Sequence, residues 1–70
     1  MNRLRLWRLQ NGLTQGEAAA RLGLGLSTLA LLEKNRMTPT PSQLVLLRRT
    51  FGKETDTLFN QVQERVGAPS

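Results

Sequence analysis

Leu13-Thr14-Gln15-Gly16-Glu17-Ala18-Ala19-Ala20-Arg21-Leu22-Gly23-Leu24-Gly25-Leu26-Ser27-Thr28-Leu29-Ala30-Leu31-Leu32-Glu33 decides the fold. Thr14 and Glu17 have the spacing of a capping box, in which the threonine hydroxyl accepts from the amide three residues on and the glutamate reaches back to the threonine amide. A helix, helix 2 of the chain, therefore opens at Thr14. It runs through Ala18, Ala19 and Ala20 to Leu22 and stops at Gly23, because glycine takes up the left-handed conformation of a helix end at little cost. That is only about two turns, too short to persist alone, so packing has to hold it. Helix 3 follows Leu24 and Gly25 and ends near Lys34 and Asn35. Its Leu29 and Leu32, at i, i+3 spacing, face a core, and Asn35 is the residue that turns left-handed at its end.

Three more helices flank this pair. Helix 1 spans Arg3 to Asn11, with Asn2 as N-cap and Gly12 just past its end; Leu4 and Trp7 share one face, while Leu6 and Leu9 fall on another. Helix 4 opens with Thr40-Pro41-Ser42-Gln43, a second capping box with proline at the first helical position, and carries a Leu44, Leu47, Phe51 stripe up to Gly52. Helix 5 begins at Thr55 or Asp56, carries Leu58, Phe59, Val62 and Val66 on one stripe, and stops at Gly67. No segment alternates as a strand does. The pattern predicts an all-α domain over residues 1–66, with 67–70 a frayed tail.

Composition narrows the chemistry. Seventy residues make one domain with a small core, which a partner chain would help to stabilise. Without cysteine there is neither a disulfide nor a thiolate metal site, and without histidine the usual general base and zinc ligand are missing. Five acidic residues, no glycine-rich phosphate loop and no ligand cluster leave little with which to build an active site. The expectation is no enzyme, no catalytic residue, no metal and no cofactor. No apolar run has the length of a membrane span, and the basic N-terminus is not followed by a small-residue cleavage site, so a cytoplasmic protein without membrane contact is expected. Ten Lys and Arg against five Asp and Glu give a net charge of +5, which suits a polyanionic partner and equally suits plain solubility.

Two short helices joined across Gly23-Leu24-Gly25 have the layout of a helix-turn-helix, although any helical bundle can join helices so. The residues around it carry a closer likeness. Arg8-Leu9-Gln10-Asn11-Gly12-Leu13-Thr14-Gln15, then Glu17-Ala18-Ala19-Ala20-Arg21-Leu22-Gly23-Leu24, then Ser27-Thr28-Leu29-Ala30-Leu31-Leu32-Glu33 stand in one register. They are similar to the Arg-x-x-x-Gly-Leu-Thr-Gln, Glu-Leu-Ala-x-x-Leu-Gly-Val and Ser-Thr-Ile-Ser-x-Ile-Glu patterns of the Cro and phage-repressor (XRE) family. Lys34, Asn35, Arg36 and Pro39 stand where that family has a basic residue, glycine, another basic residue and proline. From Leu4 to Phe59 the chain resembles this family. The resemblance implies a five-helix lambda-repressor-like bundle and a bacterial or phage transcriptional regulator, a repressor, that binds duplex DNA sequence-specifically as a homodimer on an inverted repeat. Helix 3 would enter the major groove.

The resemblance also implies roles for single residues. Gln15 matches a phosphate contact at the start of helix 2, where free helix amides favour an anion. Arg8 and Glu33 match a partly buried ion pair tying helix 1 to helix 3. Asn35, Arg36 and Thr38 match a loop that lies along the phosphates. Trp7 and Ala18 depart from the pattern together: Trp7 is larger and Ala18 smaller than usual, which suggests that Trp7 fills the space over Ala18 as a core residue. Arg48 is another departure, and it and Arg49 are expected to point into solvent.

The reading face departs most. Leu26, Ser27, Thr28, Ala30 and Leu31 occupy positions that the family usually makes polar, and no Arg, Gln or Asn stands there to clamp a purine. Ser27 and Thr28 can contact base edges, while Leu26 and Leu31 offer apolar contacts to thymine methyls. The alternative is a helix-turn-helix fold used as a protein-interaction module through these leucines; whether Leu6 and Leu9 join them in one patch is open at the level of sequence. Affinity for DNA that falls steeply with salt separates the first from the second. Val62 and Val66 are open between two roles, a dimer surface and closure of the intramolecular core.

Overall fold

The computed structural model describes residues 1–62. Among them the chain forms α1 (Arg3–Gln10), α2 (Gln15–Leu22), α3 (Leu26–Glu33), α4 (Pro41–Phe51) and a closing 3-10 helix, Gly52–Thr57. The fold is all-α, and its one β feature among the described residues is an isolated bridge between Asn2 and Gln61.

Local chemistry sets each boundary. Asn2 Oδ1 accepts from the Arg5 amide at 3.0 Å and starts α1. Both capping boxes form: Thr14 Oγ1 accepts from the Glu17 amide and Glu17 Oε1 from the Thr14 amide, and Thr40 and Gln43 do the same at α4. Gly23, at φ +75, ends α2, with its own amide on Ala20 O and the Leu24 amide on Ala19 O. Asn35, at φ +55, repeats this end at α3, where its amide bonds Leu32 O and the Arg36 amide bonds Leu31 O. Both are Schellman closures, and they satisfy carbonyls that a helix end otherwise leaves open.

The core takes one side of every helix. Leu4, Ala18, Ala19, Leu22, Leu29, Leu32, Leu47 and Leu58 are buried together, and Trp7, Leu13, Leu24, Met37, Phe51 and Phe59 pack around them. Eight-residue α2 and α3 owe their order to this shared core, since neither is long enough to hold alone.

One expectation needs correction here. No α-helix begins at Thr55 or Asp56. The chain instead makes the 3-10 turn over Gly52–Thr57 and then pairs with the N-terminal residues. Thr55 Oγ1 donates to Gly52 O at 2.7 Å and Thr57 Oγ1 to Glu54 O at 3.0 Å, tightening three-residue turns. The decisive competitor is α1, whose first-turn amides have no partner within their own helix. Leu4 N–H takes Leu58 O and Arg3 N–H takes Asn60 O, while Val62 N–H goes to Met1 O at 2.7 Å. Those carbonyls and that amide are then lost to any continuing helix. Val66 and the expected tail, 67–70, lie outside the described residues. Trp7 is half-buried and packs against the core cluster that contains Ala18. Its ring meets Phe51 edge-on, with centroids 5.0 Å apart and planes at 78°. It also walls a shallow groove of about 240 Å³ with Arg3, Leu6 and Thr57.

Candidate nucleic-acid interface

α3 is held from behind by apolar contact and by one charged lock. Leu29 and Leu32 are sealed, and the Glu33 side chain is 2% exposed. A carboxylate that deep is destabilising unless it is paired and hydrogen-bonded. Arg8 meets it with two nitrogens, Nε to Oε2 at 2.6 Å and Nη2 to Oε1 at 3.2 Å. The third guanidinium nitrogen, Nη1, donates to Leu13 O at 3.0 Å, and Gln15 Nε2 donates to Glu33 Oε1 at 3.3 Å. One ion pair thus joins α1, the α1–α2 turn, the start of α2 and the end of α3. Among the described residues no buried side-chain nitrogen or oxygen lacks a partner.

With Leu29, Leu32 and Glu33 inward, the helical repeat turns Ser27, Ala30, Leu31 and Lys34 outward, while Leu26, one turn before Leu29, is left open as the first residue of the helix. Leu26 is 55% exposed and Leu31 41%. Ser27 and Lys34 are exposed, whereas Thr28 and Ala30 are half-buried. Gly25 gives α3 no side-chain cap, so its first turn is not covered by a capping group. Exposed Arg21 stands in the last turn of α2, and exposed Arg36 and Thr38 stand in the loop beyond α3. The exposed side chains of α3 are mostly apolar, and exposed cations stand at the end of α2 and just past α3.

The structure redistributes two of the residues matched to phosphate contacts. The Gln15 side chain is half-buried and turned to Glu33, so the outward donors at this end of α2 are its backbone amides. Asn35 has both amide atoms engaged within the domain: Oδ1 accepts from Asn2 Nδ2 at 2.7 Å and Nδ2 donates to Phe59 O at 3.1 Å. Asn35 therefore straps the loop to the body of the domain, and Arg36 and Thr38 are the residues of that loop that face out. Sequence reasoning saw Asn2 only as a helix cap. In the structure it is fully buried and also donates to Leu32 O at 2.8 Å, linking the start of α1 to the end of α3. Nothing in the spacing of Asn2 and Asn35 signals that meeting. Sequence reasoning did not single out exposed Arg21 and Lys34, which stand at the ends of α2 and α3.

The charged groups elsewhere are ordinary surface. The backbone amide of Thr14, and after it the Thr14 hydroxyl, hold the Glu17 carboxyl below its usual range, so the capping box is charged at neutral pH. Exposed Arg48 lies 3.9 Å from exposed Asp56, a pair that contributes little. Among the described residues there is no cluster of metal-binding side chains, and no helix is long and apolar enough to cross a membrane.

A family model described as helix-turn-helix matches residues 4–58, from the first turn of α1 to the residue that closes the 3-10 helix. No curated protein and no solved structure matches the chain.

Proposed function

The chain belongs to the Cro/phage-repressor (XRE) family of DNA-binding helix-turn-helix domains, and on that premise we propose that it is a transcriptional repressor that reads a specific operator as a homodimer in the cytoplasm. α3 lies in the major groove, with Ser27 and Thr28 at base edges and Leu26 and Leu31 against apolar groups. Arg36, Thr38 and the Gln15 end of α2 meet phosphates, and Asn35 holds the loop in place. The observation that carries the reading is α3 itself: a helix locked from behind by Arg8 and Glu33 yet open in front, with exposed Arg21 in the last turn of α2 and exposed Lys34 and Arg36 just past the end of α3. A rigid helix with cations around it suits a groove walled by phosphates.

One short helix reads few base pairs, so two copies across an inverted repeat supply the remaining specificity. Selection from random duplex DNA at moderate salt should converge on an inverted repeat whose half-sites are about one helical turn apart. The exposure of Leu26 and Leu31 favours one competing reading, a protein-interaction module on the same fold. Failure to enrich any sequence with folded protein, together with self-association abolished by Leu26→Ser and Leu31→Ser, would establish that reading instead.

A further inference from the structure

Resting on the DNA-binding reading, we infer that α3 selects its operator by the 5-methyl groups of pyrimidines in the major groove, and so accepts 5-methylcytosine where it accepts thymine. Exposed Leu26 opens α3, Ser27, Ala30 and Leu31 lie along its outer side, and Lys34 stands past the helix end, at its C-cap. In this docking geometry the N-terminal part of the helix meets the bases. That part offers exposed Leu26 and the hydroxyls of Ser27 and Thr28, and half-buried Ala30 and exposed Leu31 follow in the next turn.

The groove side of the match is equally restricted. Guanine, adenine and cytosine present nitrogen and oxygen acceptors and amino donors, and thymine adds its methyl group. A leucine laid over a polar edge displaces water and returns no hydrogen bond, which is unfavourable. Laid over a methyl, it buries apolar area on both sides. Burying one such group is worth about fourfold in affinity. Leu26 and Leu31 from each of two protomers then compound to about two-hundredfold between a site with four methyls and the same site without them. The 5-methyl of 5-methylcytosine occupies the same place on the groove edge, so the apolar contact does not distinguish the two bases. Exposed Arg21 in the last turn of α2 and exposed Lys34 and Arg36 just past α3 suit phosphate walls, and they favour duplex DNA over an apolar partner.

The test uses the selected operator with single thymines replaced by uracil, which removes the methyl and leaves every hydrogen-bonding group in place. Affinity is expected to fall about fourfold at the positions under Leu26 and Leu31 and to stay level elsewhere. Cytosine at those positions should bind more weakly than 5-methylcytosine by a similar factor. Leu26→Ala and Leu31→Ala, each checked for an unchanged melting temperature, should each abolish the uracil effect at one position of the half-site. An operator that binds uracil and thymine duplexes equally overturns the inference while the DNA-binding reading stands. A selection that enriches no sequence removes that reading, and this inference with it.

Discussion

Arg8 and Glu33 show how a single pair can set the orientation of a short helix, here α3. The guanidinium touches Glu33 twice and Leu13 O once, so its three nitrogens are all engaged, and the side chains are 12% and 2% exposed. Such a pair is not a large net stabiliser, because both charges give up water to form it. Losing one partner is far worse than losing both. Arg8→Ala should destabilise the domain by about 3–5 kcal/mol, since Glu33 would keep only the 3.3 Å bond from Gln15. For a domain of this size that is a large share of the total stability. The double change Arg8→Met with Glu33→Leu should cost clearly less than Arg8→Ala alone. Urea denaturation of the three proteins checks this, and an Arg8→Ala loss under about 0.5 kcal/mol would show that Glu33 finds water or another donor. The pair was legible because both residues sit at fixed places in a register that runs through the whole chain. Asn2 with Asn35 was not, since two amides that meet across 33 positions leave no periodic trace.

Among the elements, α2 carries two glycines with opposite roles. Gly23 stands at φ +75, and a Cβ there would meet Leu46 Cδ2 at 3.5 Å, an ordinary contact. Its cost on substitution is therefore conformational: Gly23→Ala should destabilise by about 1–2 kcal/mol, the strain of a left-handed L-residue. Gly16, in the first turn of α2, has ordinary backbone and only Thr14 Oγ1 near its Cβ position, at 3.9 Å. Gly16→Ala should stabilise by about 0.4–1 kcal/mol, because the unfolded chain loses freedom that the helix never used. Thermal melts of the two variants should move in opposite directions, and a shared direction would refute this account of the helix end. The four helices were legible because caps, terminal glycines and 3.6-residue spacing agree at each of them. The expected helix 5 failed for a reason that periodicity does not carry. Leu58 and Phe59 do pack on the core, but Leu58 O and Asn60 O are taken by amides of α1, far away in sequence. Local pattern found the apolar residues, and a long-range backbone contest decided their conformation.

On the scale of the whole molecule, the charge excess of +5 is less informative than where the cations stand. Arg48 and Arg49 are exposed on α4, whereas Arg21 stands in the last turn of α2 and Lys34 and Arg36 just past the end of α3. Each cation that neutralises a phosphate releases counterions and adds about 0.9 to the slope of log affinity against log salt. Three contacts per protomer predict a slope of about −3 for one bound copy and about −5 for two. The slope therefore reports stoichiometry as well as electrostatics. Arg36→Ala should lower its magnitude by about 2 in a dimeric complex and weaken selected and unrelated duplexes by similar factors, because phosphates carry no sequence information. Arg49→Ala, with the same loss of net charge, should leave the slope unchanged. Equal effects from the two substitutions would mean that the protein is drawn to DNA by its overall charge, and that α3 does not fix the face it presents. Distinct effects, with a slope near −5, would fix both the face and the two-copy complex that the inverted repeat requires.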